Sequence, residues 1–348
     1  MTEFIYSHAI DTAFEITNRY THLQHVRFGR IGLVCSAKDQ RSGQIVAVEK
    51  MTKPFSSIMT SKKAYRELKV LRHLQHKNVS VLRDVFMSPS KNIYVITEFV
   101  GTDLESILVS ETLENKTVKH VLCQILRGLK YIHSAGIAHC NLSPSNILVD
   151  EHCDLRISNF GRARIMPEKR DYHSTGHPSS PQILLNGGKY DNGVDIWSAG
   201  CILAEMLEGK LLLPGKDYRC QFSSITELLG AIPDDVIRNL WGQNTLTFVH
   251  SLPKIESRSL SNKFKSADPL AVDLLGNMLI FDPRNRVCAY QALTYKYLIQ
   301  YHDPVNEPIS RGQFKLAFND ADLSANTWKR IIDSEIRDYH NTPGIKPV

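Results

Sequence analysis

The sequence has few of the features that mark secreted, membrane or metal-binding proteins. Its seven cysteines form no Cys-x-x-Cys pair, and their odd number argues against a disulfide framework. We therefore expect free thiols in a reducing compartment. The longest apolar stretch, around Ala199–Leu207, is interrupted by Glu205 and is too short to cross a bilayer. The amino-terminal residues lack a basic start followed by a long apolar run, so we expect neither a signal peptide nor a membrane partner.

Charge of one sign is not concentrated anywhere in the chain. The net charge of +6 is spread over 348 residues without a dense block of lysine and arginine, so we expect no nucleic-acid partner. The fourteen histidines supply no metal-ligand pattern, because His22 and His25 have no evident third ligand. Hydrophobic residues at 42% and charged residues at 22% are typical of a globular protein with a sizeable core.

The hydrophobic pattern changes character near Phe99–Asp103. Before this junction it predicts strands at Ile31–Ala37, Ile45–Met51 and Ile93–Glu98, a turn at Gln40–Gly43 and a helix at Ser61–Leu74. After it, helices are predicted at Val118–Ala135, Asp191–Glu208 and Ala271–Met278. The predicted fold class is α+β, with a small β-rich part followed by a large helical part. Clefts between such parts are common ligand sites.

Five short segments carry the residues that suggest chemistry. In chain order they are Arg27-x-Gly29-x-x-Gly32-x-Val34, Val46-Ala47-Val48-Glu49, His139-Cys140-Asn141-Leu142-Ser143-Pro144-Ser145-Asn146, Asn159-Phe160-Gly161 and Ser180-Pro181-Gln182. Each resembles a protein kinase signature with one or more changes: the Gly-rich loop, V-A-I-K, H-R-D-L-x-x-x-N, D-F-G and A-P-E. One such match is weak, but five in the right order and spacing are specific.

The resemblance covers nearly the whole chain and narrows to the MAP kinases. Pro214-Gly215-Lys216-Asp217 with Leu228-Leu229-Gly230 resembles a segment particular to these kinases and their near relatives, and Tyr301-His302-Asp303-Pro304 with Glu307-Pro308 resembles their common docking site. Thr97-Glu98 and Gly101-Thr102-Asp103-Leu104 look like the hinge of the fungal osmotic-stress MAP kinases. The resemblance implies the two-lobe protein kinase fold. Its expected parts are an amino-terminal extension at 1–19, an N-lobe at 20–100, a C-lobe at 101–299 and a docking region with a carboxyl-terminal extension at 300–348.

The resemblance also implies a nucleotide site for ATP and Mg²⁺. Its expected residues are Val26, Gly29, Gly32, Val34, Ala47, Thr97 and Asn146. Asn146 and Asn159 stand at the metal positions, where an amide oxygen can ligate Mg²⁺ but brings no charge. Arg27 and Arg30 either supply positive charge to the phosphates or point to solvent.

The lysine that holds the phosphates in this family is replaced by Glu49, and Glu67 resembles its partner on the following helix. Side chains alternate along a strand, so Glu49 is expected on the nucleotide face while Lys50 points away. Two carboxylates about 4 Å apart repel by roughly 4 kcal/mol at an effective dielectric constant near 20. The pair is expected either to splay apart or to share a proton at a raised pKa.

Asn141 stands at the position of the catalytic aspartate. A neutral amide cannot act as a general base at cellular pH. Ser143 stands where a lysine that contacts phosphate is usual, and Gln182 replaces a glutamate that would pair with Arg286.

The regulatory and docking segments are also altered. Arg170 and Tyr172 stand where the family carries its Thr-x-Tyr phosphorylation motif, so Tyr172 is the expected regulatory residue. Asp303 and Glu307 are the expected docking carboxylates, with a solvated acidic turn as the alternative.

These replacements favour a MAP-kinase-like pseudokinase in osmotic-type stress signalling, without phosphotransfer. Its expected partners are an upstream kinase, a phosphatase, substrates or an active relative, bound by a monomer in the cytoplasm and also in the nucleus. The alternatives are a Ser/Thr protein kinase with weak or unusual phosphotransfer, a nucleotide sensor without catalysis, and a drifting gene copy without function.

Overall fold

The computed structural model describes residues 3–9, 12–28, 32–166, 180–181, 191–213, 218–241, 243–250, 259–318 and 321–342. The chain divides into two compact units. The first comprises the chain up to Gly101, the segment Asn159–Arg162 and the chain from Leu316 onward. The second comprises Thr102–Ser158 and Ala163–Lys315.

The first unit is built on an antiparallel five-stranded sheet with the order β3-β4-β5-β7-β6. Its strands are β3 (Tyr20–Phe28), β4 (Gly32–Asp39), β5 (Ile45–Met51), β6 (Leu82–Met87) and β7 (Ile93–Glu98). A separate hairpin of β1 (Phe4–Ala9) and β2 (Thr12–Thr17) precedes it. One face of the sheet packs into an apolar core with the hairpin, which includes Phe14, Tyr20, Val48, Phe86 and Tyr94.

Helix α1 (Ile58–His73) follows β5 and begins three residues before its predicted start at Ser61. The cause is a capping box, in which the Ser57 side chain accepts a hydrogen bond from the Thr60 N–H and the Thr60 hydroxyl accepts one from the Ser57 N–H. The predicted strands at Ile45–Met51 and Ile93–Glu98 are confirmed, and so is the turn that follows Asp39.

The second unit is mainly helical. It contains α2 (Leu104–Ser110), α3 (Asn115–Ser134), α4 (Gly193–Glu208), α5 (Tyr218–Leu229), α6 (Asp234–Trp241), α7 (Gln243–His250), α8 (Leu260–Lys263), α9 (Pro269–Met278) and α10 (Ala289–Leu293). Two small sheets, β8-β10-β11 and β9-β12, use short strands: β8 (Thr102–Asp103), β9 (Ile137–Ala138), β10 (Ile147–Val149), β11 (Leu155–Ile157) and β12 (Arg164–Ile165).

Helix α4 lies at the centre of the helical unit, because both α3 and α9 pack against it. Twelve of its sixteen residues are buried, including Trp197. Gly200 permits the close approach of α9, since a Cβ atom there would lie 2.9 Å from a Leu279 methyl group. The predicted α+β class, with a β-rich first part and a helical second part, is confirmed.

The carboxyl-terminal residues return to the first unit. Helix α11 (Ala325–Asn341) packs against α1 and β6. The predicted division at residues 19, 100 and 299 stays a prediction, but the compact units divide differently at this end, because the chain from Leu316 belongs with the sheet. The described residues contain no helix that is long and apolar enough to cross a membrane, and all seven cysteines are free.

Candidate functional site

One face of the sheet in the first unit carries four of the predicted nucleotide and catalytic residues. On β5, Glu49 lies opposite Val34 of β4, and Ala47 lies opposite Thr97 of β7. Directly opposed residues share a face of an antiparallel sheet, and so do residues two apart on a strand. Val34, Ala47, Glu49 and Thr97 are therefore neighbours on one surface.

Lys50 lies on the other face and is occupied there. Its Nζ donates to the backbone oxygen of Ala13 and lies 5.4 Å from the centre of the Phe14 ring. Burial lowers the pKa of Lys50, although the charge of Glu15 opposes that change. Lys50 therefore cannot take the place of the lysine that Glu49 replaces.

Glu67 on α1 is almost fully buried, with 2% of its surface exposed. Burial raises the pKa of the Glu67 carboxyl well above its usual range, the charge of Glu49 raises it further, and a hydrogen bond from the backbone N–H of Phe160 only partly offsets both. The Glu67 Oε2 atom has no hydrogen-bond partner in the part of the chain that the structure describes. Of the two outcomes open to this pair, a raised pKa of the Glu67 carboxyl is the one that its burial and the charge of Glu49 favour.

Residues 159–162 are held beside α1. The Arg66 Nη1 atom donates to the Gly161 carbonyl over 3.2 Å, and Phe160 is fully buried. Asn159 has a φ of +69°, in the left-handed region that asparagine tolerates better than most residues. Side chains of α1 therefore hold this segment through hydrogen bonds to its backbone groups.

The glycine-rich segment is described only in part. Val26 is half-buried in β3, and Gly32 opens β4 where a Cβ atom would lie 1.6 Å from the Lys50 carbonyl oxygen. Only glycine fits that approach of the two strands. Gly29, Arg30 and the Arg27 side chain lie outside the described residues.

In the second unit, Asp195 organises the loop that contains Asn141. Its carboxylate accepts hydrogen bonds from the backbone N–H groups of His139 (2.7 Å) and Cys140 (2.8 Å), and it lies 2.9 Å from His133 Nε2. Burial alone would raise the pKa of Asp195, but the contact with His133 and the other donors hold it below its usual value. Cys140 has a φ of +58°, and the Asp195 hydrogen bonds stabilise this unusual backbone.

His139 is fully buried beneath the loop. Its Nε2 lies 2.9 Å from the Ser158 carbonyl, and its Nδ1 accepts from the Asn141 N–H at 3.2 Å. Burial lowers the pKa of His139, although Asp195 and the Ser158 carbonyl act in the opposite direction. The imidazole is therefore neutral and acts as a support for the Asn141 backbone.

Asn146 closes the same loop. Its Nδ2 donates to the Asn141 carbonyl at 2.7 Å and to the Ser143 hydroxyl at 3.1 Å. Its own carbonyl accepts from the Ser158 N–H (2.9 Å) and hydroxyl (3.1 Å). The loop is thus fully built around Asn141, whose half-buried amide side chain can donate and accept hydrogen bonds but cannot take up a proton.

Arg286 is buried beneath α4. Its guanidinium donates to the backbone oxygens of Gly193 and Ile280 and lies 5.1 Å from the Trp197 ring. Burial lowers the pKa of Arg286 to about 10, although nearby carboxylates oppose the change. The expected partner Gln182 lies outside the described residues.

Of the two predicted docking carboxylates, Glu307 is buried and Asp303 is partly exposed. Glu307 is buried, and its carboxylate contacts Lys130 (3.1 Å), Arg127 (3.4 Å) and His302 Nδ1 (3.0 Å) and accepts from the Asp303 N–H (3.0 Å). Because Lys130, Arg127 and His302 of its own unit surround it, the Glu307 carboxylate holds the turn together, and its docking role stays a prediction. Asp303 is half-buried, and its carboxylate accepts from the Val305 N–H (3.1 Å) and the Asn306 amide (2.6 Å).

Several sequence predictions lie outside the described residues. They are Arg170 and Tyr172 of the expected phosphorylation motif and Pro214-Gly215-Lys216-Asp217. Within the described residues, no group of three or more His, Cys, Asp or Glu side chains could hold a metal ion.

Sequence reasoning missed the contribution of α11. Its buried residues Trp328, Ile332, Ile336 and Tyr339 have helical spacing, which is the signal that could have revealed it. The Glu335 carboxylate pairs with Lys69 at 2.8 Å and Arg72 at 2.7 Å on α1, the helix that carries Glu67.

Comparison with known proteins agrees with this fold. The protein kinase domain family matches residues 20–298, which places the chain in that class of protein. A mitogen-activated protein kinase HOG1 from Alternaria brassicicola is 58% identical over 342 residues, covering 98% of this chain and 96% of the relative. The corresponding figures are 57%, 100% and 98% for HOG1 of Cochliobolus heterostrophus, and 56%, 98% and 93% for mitogen-activated protein kinase sakA of Aspergillus fumigatus. The chain belongs to the MAP kinase family of protein kinases, and the resemblance found in its motifs is confirmed.

Proposed function

We propose that this protein works in osmotic-type stress signalling as a MAP kinase family member whose output is protein binding, with phosphotransfer lost or strongly reduced. The similarity to HOG1 and sakA kinases over nearly the whole chain supports the signalling role. The hydrogen-bonded loop around Asn141 and the buried helix α4 support the inference that the protein kinase scaffold is retained.

The observation that carries the loss of phosphotransfer is the Glu49–Glu67 pair. In this fold the nucleotide phosphates need a cation at position 49, and kinase catalysis is mostly positioning and electrostatic stabilisation of the transferred group. Here that position holds a carboxylate, and the charge of Glu49 raises the pKa of Glu67. Two acidic side chains, Glu49 and Glu67, therefore occupy the position where the phosphates of a nucleotide would bind.

The residues fit ATP and Mg²⁺ in part only. Val34, Ala47 and Thr97 form a surface of small and apolar side chains that suits a purine ring. Asn146 and Asn159 can offer amide oxygens to Mg²⁺, but they bring no charge to balance the phosphates. Bound ATP would supply the γ-phosphoryl group, and Asn141 could orient a substrate hydroxyl through a hydrogen bond without accepting its proton.

A second candidate is a Ser/Thr protein kinase with weak phosphotransfer. The comparisons by themselves favour it, because these relatives are named as mitogen-activated protein kinases. A loose transition state tolerates a missing base better than missing positioning, and the Asn141 loop keeps its hydrogen bonds. The acid pair at Glu49 and Glu67 supports the first candidate over this one.

The proposed partners are an upstream kinase, a phosphatase, substrates or an active MAP kinase. They would bind this protein as a monomer, in the cytoplasm and also in the nucleus. A docking role for Asp303 remains part of this proposal, and Tyr172 is proposed as its regulatory residue.

The deciding experiment measures phosphate transfer to a basic protein together with thermal unfolding in ATP, each with Mg²⁺ or EDTA. We expect no transfer and no rise in the unfolding midpoint. The matched control is the triple variant Glu49→Lys, Asn141→Asp and Asn159→Asp, which restores the family residues and should recover transfer. A ligand at about 100 times its Kd would stabilise the protein by roughly 2.7 kcal/mol, which is readily visible.

The outcomes separate the candidates. Mg²⁺-dependent transfer by the unmodified chain would establish the weak kinase and overturn the proposal. Stabilisation by ATP without transfer would identify a nucleotide sensor.

A further inference from the structure

Two carboxyl groups of the first unit, one on strand β5 and one on helix α1, lie close to each other. Glu49 is half-buried on β5, and Glu67 on α1 has 2% of its surface exposed. They are near enough for the charge of Glu49 to act on Glu67. Two acids in a poorly solvated place disfavour each other's charge, and a cation between them would remove that repulsion.

The Glu67 carboxyl has an acceptor atom that the described residues leave unused. Its Oε2 atom accepts no hydrogen bond from them, whereas the carboxyl accepts one from the Phe160 N–H. Burial and Glu49 raise the pKa of Glu67, and no cation of the described residues is among the groups that shift it. A buried acceptor without a donor is costly, so this atom marks a place for a donor from a ligand.

The basic residues that are neighbours in sequence bond elsewhere. Lys50 follows Glu49 on β5, but its Nζ donates to a backbone carbonyl of β2 on the other face of the sheet. Arg66 precedes Glu67 on α1, and its Nη1 atom donates to a backbone carbonyl 3.2 Å away. Burial lowers the pKa of Lys63, one helical turn before Glu67, and two arginines lower it further, so Lys63 lies among other cations.

A surface of small and apolar side chains borders the acid pair. Val34 lies opposite Glu49 in the register of β4 and β5, and Ala47, two residues before Glu49, lies opposite Thr97. Val34 is buried, and Ala47 and Thr97 are half-buried. All of these residues belong to the first unit. A flat ring on this surface would therefore have the acid pair directly beside it.

The number of oxygen ligands decides which kind of cation fits the pair. Mg²⁺ and Ca²⁺ take about six or more oxygen ligands. Within the described residues, no group of three or more His, Cys, Asp or Glu side chains could hold a metal ion. An ammonium group carries several N–H donors and needs only acceptors. Two carboxyl groups therefore suit an ammonium group better than a metal ion.

We propose that this face of the first unit binds a flat ring that carries a protonated amine, in place of the polyphosphate of a nucleotide. The ammonium group donates to the Glu67 Oε2 atom and pairs with Glu49, and the ring lies on Val34, Ala47 and Thr97. This binding deepens the proposed function and rests on it, because the carboxylate at position 49 both repels phosphate and attracts the amine.

The test is isothermal titration calorimetry of the full chain, in EDTA, with three ligands that differ only at the 5′ position. They are 5′-amino-5′-deoxyadenosine, which carries a cation, the neutral adenosine and the anion AMP. We expect the amine to bind at least about tenfold more tightly than adenosine, since a hydrogen bond to a charged group contributes about that factor. AMP should bind more weakly than adenosine. Equal binding of the amine and adenosine would overturn the proposal.

Two neutral variants locate the site. Glu49→Gln and Glu67→Gln each remove one carboxyl group and keep the size of the side chain, and each should lower the affinity for the amine about tenfold. Glu111→Gln, which changes an exposed carboxyl group of the second unit, is the matched control and should bind as the unmodified chain does. Unchanged affinity in both Glu49→Gln and Glu67→Gln would place the binding elsewhere and refute the site.

A charge inversion gives a second readout. Glu49→Lys should reverse the order of the three ligands, because it lowers the affinity for the amine and raises the affinity for AMP by about tenfold or more each. The urea titration of the same variant shows whether it is folded. An unchanged order in the folded variant would contradict a contact between the 5′ group and position 49.

Two more ligands test other occupants. n-Butylammonium carries the charge without the ring and should bind at least about tenfold more weakly than the amino-nucleoside, because it leaves the apolar surface uncovered. Equal affinity would overturn the contact of the ring. Displacement of the bound amine by millimolar Mg²⁺ in the absence of EDTA would assign the acid pair to a metal ion and overturn the proposal.

Failure of this binding is distinguishable from failure of the proposed function. Mg²⁺-dependent phosphate transfer by the unmodified chain would overturn both, because polyphosphate would then bind beside Glu49. Absence of transfer together with no preference for the amine would overturn the cation site alone and leave the signalling role through protein binding standing.

Discussion

At the residue scale, Glu67 combines a carboxyl group with a site that disfavours its charge. Burial and the nearby Glu49 both raise its pKa, while the Phe160 N–H only partly opposes them. A carboxyl group whose pKa is raised in the folded protein keeps its proton to a higher pH than it does in the unfolded chain. This difference couples the stability of the first unit to pH.

The direction of that coupling follows from the raised pKa. The contribution of Glu67 to stability is fully present below its unfolded pKa of about 4.3 and is lost as the pH rises through the folded value. We expect Glu67 to make the midpoint of thermal unfolding fall as the pH rises above about 4.3, and Glu67→Gln to reduce that fall. In the affected window, the effect is about 1.4 kcal/mol for each pH unit.

The control for this measurement is Glu111→Gln, which changes an exposed carboxyl group. It should leave the pH dependence of the parent unchanged. Identical curves for the parent and Glu67→Gln would show that Glu67 is ionised in the folded protein.

Glu49→Lys should stabilise the first unit. It places an ammonium group in the position of the Glu49 carboxylate, which lowers the pKa of Glu67, lets the two side chains form an ion pair and supplies a partner for the Glu67 Oε2 atom. We expect a gain of about 1–3 kcal/mol in the free energy of unfolding, measured by urea titration at pH 7.5.

The comparison variant is Glu111→Lys, which makes the same charge change at an exposed position. A surface change of this kind is expected to stay within about 0.5 kcal/mol. A loss of stability in Glu49→Lys would contradict the proximity of Glu49 and Glu67.

At the element scale, α11 provides α1 with a support that does not depend on Glu49. Trp328 is fully buried, and its ring centre lies 5.4 Å from that of Tyr65 on α1. Glu335 bridges Lys69 and Arg72, and the Tyr339 hydroxyl donates to the Leu82 carbonyl at 3.4 Å. The helix that carries Glu67 is therefore held from its outer side by the carboxyl-terminal residues.

Trp328→Ala should destabilise the first unit by about 3–5 kcal/mol, because it removes the largest side chain of this contact and leaves a cavity. Arg330→Ala, two residues further along an exposed surface of α11, is the control and should cost less than about 0.5 kcal/mol. Urea titration checks both variants. A small effect of Trp328→Ala would mean that α11 is not an integral part of the unit.

At the scale of the whole molecule, the seven free cysteines report on folding. Cys220 and Cys288 are exposed, Cys140 and Cys153 are half-buried, and the other three are buried. Burial raises the pKa of Cys35 to about 11, and it raises the pKa of Cys201 well above its usual value, with the charge of Glu205 adding to it. The thiolate is the reactive form of cysteine. The buried thiols are therefore protected from reagents both by their inaccessibility and by their raised pKa.

We expect two thiols to react rapidly with an aromatic disulfide reagent in the native protein and seven to react in denaturant. Cys288→Ser should remove one fast thiol and change nothing else. Fewer than seven reactive thiols in denaturant without reductant would reveal a disulfide and contradict the structure.

Much of the fold could be predicted because its signals are local. The alternation of β5 placed Glu49 on one face and Lys50 on the other, and the strand bounds at Ile45–Met51 and Ile93–Glu98 agree with the pattern. The start of α1 was missed by three residues, because Ser57 and Thr60 extend the helix through polar capping that hydrophobic spacing does not register. The spacing of the five motifs identified the family because each motif is read within a few residues.

The sequence by itself determined the family, the α+β class and the identity of the residues at each functional position, since these depend on residue type and short spacing. Only the tertiary structure decided that Glu67 is buried without a partner for Oε2, that Glu307 lies inside its turn, and that α11 belongs with the sheet. The physical reason is that burial, and with it the charge state of a carboxyl group, depends on groups that are distant in sequence and meet only when the chain folds.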